Sequence, residues 1–211
     1  MSLRNTSKIK KHAYTYLGYR NMPHDERTDK IIDECIEEIE RIAQFKYIYA
    51  EFDYQLDFLK DNAVYQRFLK DTTSYYLVLT TLGKKVDDKC RYYSKIDMEK
   101  MVIFDAVSSA YLEYMADEFE EENFPKDRTY RFCPGYQGTE TKDIREIFKY
   151  INPLKCGVEL LESNLMVPMK SMCGIVGVGK NKKLSCGNCV VKEKCEYRKE
   201  GTTCYQDSEK K

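Results

Sequence analysis

The stretch SYYLVLTTLG, Ser74–Gly83, constrains the fold most. It is apolar and rich in aromatic and β-branched residues, so it reads as a buried strand that ends at Gly83. The stretches around it carry other periodicities. Thr28–Gln44 places Ile31, Ile32, Cys35, Ile36, Ile39, Ile42 and Ala43 on one helical face and most acidic residues on the other. Asp25 or Thr28 can cap its start. KYIYAEFDY then has strand composition, and DNAVYQRFLKD reads as a short helix. A helix is expected from about Lys84 to Ser94, and Asp97 caps a long one, MEKMVIFDAVSSAYLEYMADEFEEE. KDRTYRF is strand-like, TKDIREIFKYI is helical and stops before Pro153, and CGVELLE and KSMCGIVGVG are expected as the last two strands. Strands and helices alternate irregularly, which predicts an α+β fold rather than a doubly wound sheet.

After Gly179 the composition turns to lysine, cysteine and polar residues, so a boundary is expected there. Residues 1–179 form the main domain and residues 180–211 a cysteine-rich tail. With 211 residues and 42% hydrophobic content the chain can pack a core. Lys+Arg and Asp+Glu balance at 35 each, so no overall field favours nucleic acid or an anionic membrane. The basic start lacks the apolar segment of a secretory signal, and no apolar run approaches the roughly 20 residues of a membrane span. Nine cysteines, an odd number, with no export signal point to cytosolic thiols or metal ligands and a cytoplasmic location.

The tail holds Cys186, Cys189, Cys195 and Cys204 at C-x2-C-x5-C-x8-C spacing, with too few apolar residues to fold on a core of its own. Four thiolates on one metal centre would supply the missing order. One close pair with two single cysteines suits a 4Fe–4S cluster. Zinc, which commonly uses two close pairs, and uncoordinated thiols are the alternatives. GIVGVGKN, Gly174–Asn181, is near a phosphate-binding loop but has Asn181 where the Mg²⁺-binding hydroxyl belongs and no helix pattern behind it, so it reads as a tightly packed glycine-rich strand. Cys35, Cys90 and Cys173 read as small core residues. The long helix carries Asp105, Ser109 and Glu113 at i, i+4 and i+8, either a solvated edge or a polar line facing a ligand. His12 and His24 receive no role, and no nucleophile with a neighbouring base is evident, so no catalytic residue is assigned.

The corner RFCPGYQG, Arg131–Gly138, invites a closer reading. Arginine offers a planar fork for a carboxylate. A Pro-Gly turn frees carbonyls to face a ligand, and Tyr136 presents a flat ring. An amino-acid-like ligand with a positive centre would suit that set; a structural turn with a surface ion pair is the plainer alternative.

RFCPGYQG resembles the Arg-Pro-Ala-Pro-Gly-Tyr corner of the S-adenosylmethionine-binding activation domain of cobalamin-dependent methionine synthase. Further on, LLESNLMVPMKSMCG is similar to that domain's Thr-Glu-Ser-Phe-x-Met-x-Pro-x-x-Ser-x-Ser-Gly segment, with Glu162, Ser163, Met166, Pro168, Ser171 and Gly174 at the matching positions. FLKDTTSYYLVLTTLG and FDAVSSAYLEYMADEFEEE also resemble stand-alone relatives of the domain, so the likeness spans roughly Tyr16–Gly179. It implies a twisted, mainly antiparallel sheet flanked by helices. It also implies S-adenosylmethionine binding, with Arg131 on the ligand carboxylate, the backbone at Cys133 and Gly135 along the ligand, Tyr136 lining the pocket and Glu113 at an acidic helix position. The family's strand with a ligand-contacting tyrosine is not recognisable after Gly179, where the cysteine segment stands.

The resemblance further implies a role in methionine biosynthesis: reductive methylation of cob(II)alamin on a corrinoid-binding methionine synthase or related methyltransferase. That partner is expected on a separate chain, so this chain would be inactive alone. The electron needed before methyl transfer could pass through an iron–sulfur centre in the tail, with a flavodoxin or ferredoxin as candidate donor. Two other readings stand beside it: an iron–sulfur protein that reduces corrinoid partners without binding S-adenosylmethionine, and a zinc-stabilised docking module.

Overall fold

A computed structural model describes residues 6–19, 25–179 and Lys199. The buried strand of the sequence, β2 (Ser74–Thr81), lies between β1 (Lys46–Phe52) and β5 (Ser171–Val178) in a three-stranded antiparallel sheet. Val78 pairs with Tyr49 on one side and Gly174 on the other. Side chains alternate across a strand, and here both faces are covered, which is why β2 is apolar at consecutive positions. Leu77, Leu79, Cys173 and Ile175 pack with Tyr65, Phe132, Ile144 and Ile147 on one face. Tyr76, Val78 and Val176 meet Phe119 and Phe124 on the other.

The short helices α3 (Asp57–Lys60), α4 (Ala63–Phe68) and α7 (Asp143–Ile147) contribute to the first of these clusters. The second face carries α6 (Met98–Asn123), buried on most sides because α1 (Thr6–Tyr16), α2 (Glu26–Ile42) and α5 (Lys84–Ile96) surround it. Ile32 and Ile39 of α2 are fully buried there, and each such side chain contributes about 1.5–3 kcal/mol. Of the two candidate caps, Asp25 starts α2, accepting the Thr28 N–H at 2.8 Å. Asp97 starts α6, accepting the Lys100 N–H at 3.0 Å. The α+β architecture with its antiparallel sheet is therefore as the sequence implied. Among the described residues no helix is long and apolar enough to cross a membrane.

Several elements differ from expectation. Helix α3 forms where no element was expected, and α7 is shorter than TKDIREIFKYI suggests. The N-terminal stretch, given no element, forms α1, anchored by buried Ile9, Ala13 and Tyr14. CGVELLE adds no strand to the sheet: Pro153–Cys156 is a 3-10 turn, and Glu159–Leu160 (β3) pairs only with Met166–Val167 (β4) in a small hairpin. KDRTYRF runs along β5 but meets it in two isolated bridges, Arg128 with Val178 and Phe132 with Ile175. The pairing slips by one residue between them because the Thr129 hydroxyl accepts the Gly177 N–H at 2.9 Å in place of a backbone carbonyl.

Candidate functional site

The slip at Thr129 aims the corner. Beyond it, Phe132 exchanges both backbone hydrogen bonds with Ile175 at 2.9 Å and points into the aromatic cluster of Tyr65 and Phe68. Arg131, its neighbour, therefore points the opposite way, towards α6. The chain then turns through Gly135 and Gly138, both at positive φ, and Gln137 at φ 54°. The Thr139 hydroxyl holds this turn by donating to the Tyr136 carbonyl at 2.8 Å and accepting the Gly135 N–H at 3.1 Å. Tyr136 is left on the surface, 69% exposed.

Arg131 is buried, and its fork is occupied. Nη1 donates to Glu120 and Nη2 to Asp117 at 3.0 Å, both on α6. Burial alone would lower the guanidinium's pKa, but the two carboxylates outweigh it and the value is raised. Burial also lifts the Glu120 carboxyl above its ordinary range, against the pull of Arg131. The arginine stem lies over Gly174 of β5, where an added Cβ would come within 2.6 Å of Arg131 Cγ. Gly174 thus brings the second motif up to the corner. Ser171 ties the start of β5 to Thr81 at 2.8 Å, while Glu162 and Ser163 lie in the turn of the β3–β4 hairpin.

Glu113 stands one turn before Asp117 on α6 and receives α1. Tyr16 donates its hydroxyl to Glu113, His12 Nδ1 is 3.8 Å from the same carboxylate, and Lys8 Nζ is 3.7 Å from Asp117. These α1 residues recur every four positions and so share a face. Burial, then the Glu113 charge, raises the Tyr16 phenol pKa, and Tyr136 and Cys133 are near enough to add to the rise. The Cys133 thiol is pushed up to about 11 by burial, against the neighbouring Arg131 charge, so it stays protonated at neutral pH. Arg131, Cys133, Gly135, Tyr136 and Glu113 thus come together. Asp117, Glu120 and Tyr16 belong with them, and sequence reasoning missed all three. The signal for the carboxylates was present: Glu113, Asp117 and Glu120 continue the Asp105–Ser109–Glu113 line at helical spacing.

The upper part of that line has a different partner. Lys170 Nζ lies 2.8 Å from Asp105 and donates to Ser109 at 2.9 Å, so these two residues link the start of β5 to α6, with the Asp105 carboxylate still partly open to solvent. Cys35 and Cys173 are core residues as expected, whereas Cys90 is half-buried with its thiol 3.8 Å from Asp105. The glycine-rich stretch through Gly174 and Gly177 is strand β5, closely packed at both glycines. Among the described residues no group of three or more His, Cys, Asp or Glu is placed to hold a metal ion. Cys186, Cys189, Cys195 and Cys204 lie outside the described residues, as does His24.

Chemically, the corner joins, among the described residues, three carboxylates (Glu113, Asp117 and Glu120) to two cations, Arg131 and Lys8. The excess negative charge and the exposed Tyr136 ring favour a ligand that brings positive charge.

No family model matches the chain, and no curated protein matches it in sequence. Its fold is that of a solved structure, the crystal structure of the MetH reactivation domain bound to AdoHcy. The two superpose with a TM-score of 0.62 at 13% identity, over 97% of this chain and 85% of that one.

Proposed function

We propose that this chain binds S-adenosylmethionine at the corner of Arg131, Cys133, Gly135, Tyr136 and Glu113, and that it serves the reactivation of a cobalamin-dependent methionine synthase or related corrinoid methyltransferase. One observation carries the reading. The corner that resembles the family's ligand motif gathers Arg131, Tyr136 and Glu113 on a fold shared with a domain crystallised with AdoHcy. AdoHcy is S-adenosylhomocysteine, what remains of S-adenosylmethionine once its methyl group has left.

In this reading Arg131 holds the ligand carboxylate through charge-assisted hydrogen bonds. Gly135, at φ 95°, keeps the backbone free to approach the ligand. The Tyr136 ring and the Glu113 carboxylate face the positive sulfonium. When bound, S-adenosylmethionine supplies an electrophilic methyl group. The acceptor is the partner's cobalt after cob(II)alamin has gained one electron from a donor such as a flavodoxin or ferredoxin, or through a cluster in the tail. The partner would dock over the Cys133–Gly138 loop, where Tyr136 is exposed.

A second reading is favoured by a specific observation: both ends of the Arg131 fork are already held by Asp117 and Glu120. A chain that docks on or reduces a corrinoid partner without binding S-adenosylmethionine would look like this. Titration calorimetry separates the two. Losing a charge-assisted hydrogen bond costs about 1.5–3 kcal/mol. Arg131→Ala should therefore weaken S-adenosylmethionine binding by about ten- to a hundred-fold. Arg131→Lys should recover only part of the loss, because a point charge cannot replace the fork. If the wild type shows no binding at millimolar ligand, with or without a corrinoid partner, the second reading stands.

A further inference from the structure

The Arg131 pairing has a thermodynamic consequence for any carboxylate ligand. We propose that Glu120 is a built-in competitor of the ligand at Arg131, a determinant of affinity that releases the guanidinium by taking up a proton as the ligand binds. This rests on the S-adenosylmethionine reading above.

The geometry sets up the competition. The Arg131 side chain is 8% exposed, its stem is confined by Gly174, and Nη1 and Nη2 both donate to protein carboxylates. A third carboxylate arriving at the same fork would put three negative charges around one buried cation. A ligand carboxylate that takes both ends of the fork displaces both residents. Asp117 is free to give way: its side chain is 44% exposed, and Lys8 of α1 lies 3.7 Å from its other oxygen. Glu120 has no such exit, with its side chain 6% exposed beneath the corner.

Among the described residues, charged and titratable groups reach Glu120 from three sides. Arg131 and Arg128 approach from the segment beside β5, Cys133 from the corner, and Asp117 from its own helix. Arg128 is engaged elsewhere, donating to Glu121 at 2.7 Å and to the Pro125 carbonyl at 2.9 Å. If the ligand draws Arg131 away, Glu120 keeps little to offset the cost of a buried charge, and protonation is its way out. Burial already raises its pKa in the free protein. Sharing Arg131 raises it further, so the complex binds more protons than the free protein and affinity falls as pH rises. The limit is one proton per ligand, or about tenfold in Kd per pH unit.

The test is calorimetric titration of the full-length wild type with S-adenosylmethionine in phosphate and in Tris, whose ionisation enthalpies differ widely. The expected result is net proton uptake on binding, at most one per ligand, and a Kd that rises with pH. Glu120→Gln should bind several-fold more tightly and lose both the proton uptake and the pH slope. A change of affinity alone would fit a structural role, but loss of linked protonation would not. Measurable binding with no proton uptake in the wild type overturns the proposal and leaves the S-adenosylmethionine reading intact; the ligand's own ammonium would then be satisfying Glu120. No binding at all overturns both. Because the wild-type measurement decides the matter, a Glu120→Gln protein that fails to fold does not protect the idea.

Discussion

Gly174→Ala tests the packing on which the corner depends. The position is within β5 and its φ is ordinary, so the backbone accepts alanine without strain. Alanine should even stabilise by about 0.4–1 kcal/mol, because it restricts the unfolded chain. Against that stands the contact: the new methyl would sit 2.6 Å from Arg131 Cγ and 3.1 Å from the Phe132 carbonyl oxygen. Cγ is not the loose end of a side chain. The far end is fixed by Glu120 and Asp117, and the near end by the Phe132–Ile175 bridge. Relief must therefore come from breaking the ion pairs or separating the corner from β5, and overpacking of this kind costs about 1–3 kcal/mol. The net expectation is a loss of about 1–2 kcal/mol in urea denaturation. Because the strain runs through the arginine stem, most of it should vanish in an Arg131→Ala background, leaving only the carbonyl contact. The double-mutant cycle measures this directly. An equal cost of Gly174→Ala in both backgrounds, or no cost in either, refutes the reasoning.

Two further expectations follow from neighbouring parts of the chain. Thr129→Val removes the hydroxyl that accepts the buried Gly177 N–H at 2.9 Å, and an orphaned donor should cost about 1–3 kcal/mol in denaturation experiments, with Thr129→Ser recovering most of it. If the tail holds a 4Fe–4S cluster, anaerobically purified protein should be brown with about four irons and four sulfides per chain, and a double Cys186→Ser, Cys189→Ser variant should be colourless yet folded; stoichiometric zinc without iron uptake would rule out electron relay through the tail.

The fold was legible where periodicity was strong. The apolar run of β2, the isoleucine face of α2 and the capped start of α6 all form as their residues dictate. Legibility failed where a single side chain decided the backbone. KDRTYRF has strand composition, but the Thr129 hydroxyl replaces a ladder carbonyl and slips the register, and no propensity encodes that contact. CGVELLE is apolar enough for a strand, yet Asn152 caps Leu154 in a tight turn and the remaining residues pair only within a hairpin. For α1, the Ile9, Ala13 and Tyr14 pattern was short and flanked by lysines, and its burial comes from α6 rather than from local preference.

The candidate site was half legible, and the missing half is electrostatic. Sequence spacing identified a polar line on α6 but not its length, because its lower end merges with the acidic run DEFEEE and looks like a solvated terminus. The structure pairs every member, and each cation arrives from a different element. Lys170 before β5 takes Asp105, α1 brings Lys8 to Asp117 and Tyr16 to Glu113, and the corner brings Arg131 to Asp117 and Glu120. A buried carboxylate is tolerable only with such partners. Buried Glu120 therefore helps to place the corner, while the exposed pairs of the same α6 edge contribute little to stability and leave the corner with its excess negative charge. If the corner binds S-adenosylmethionine as proposed, assembly of the fold and recognition of the ligand draw on one set of carboxylates, so substitutions at Asp117 or Glu120 should affect stability and binding together, whereas Tyr136, exposed and outside that set, is the place to alter binding alone.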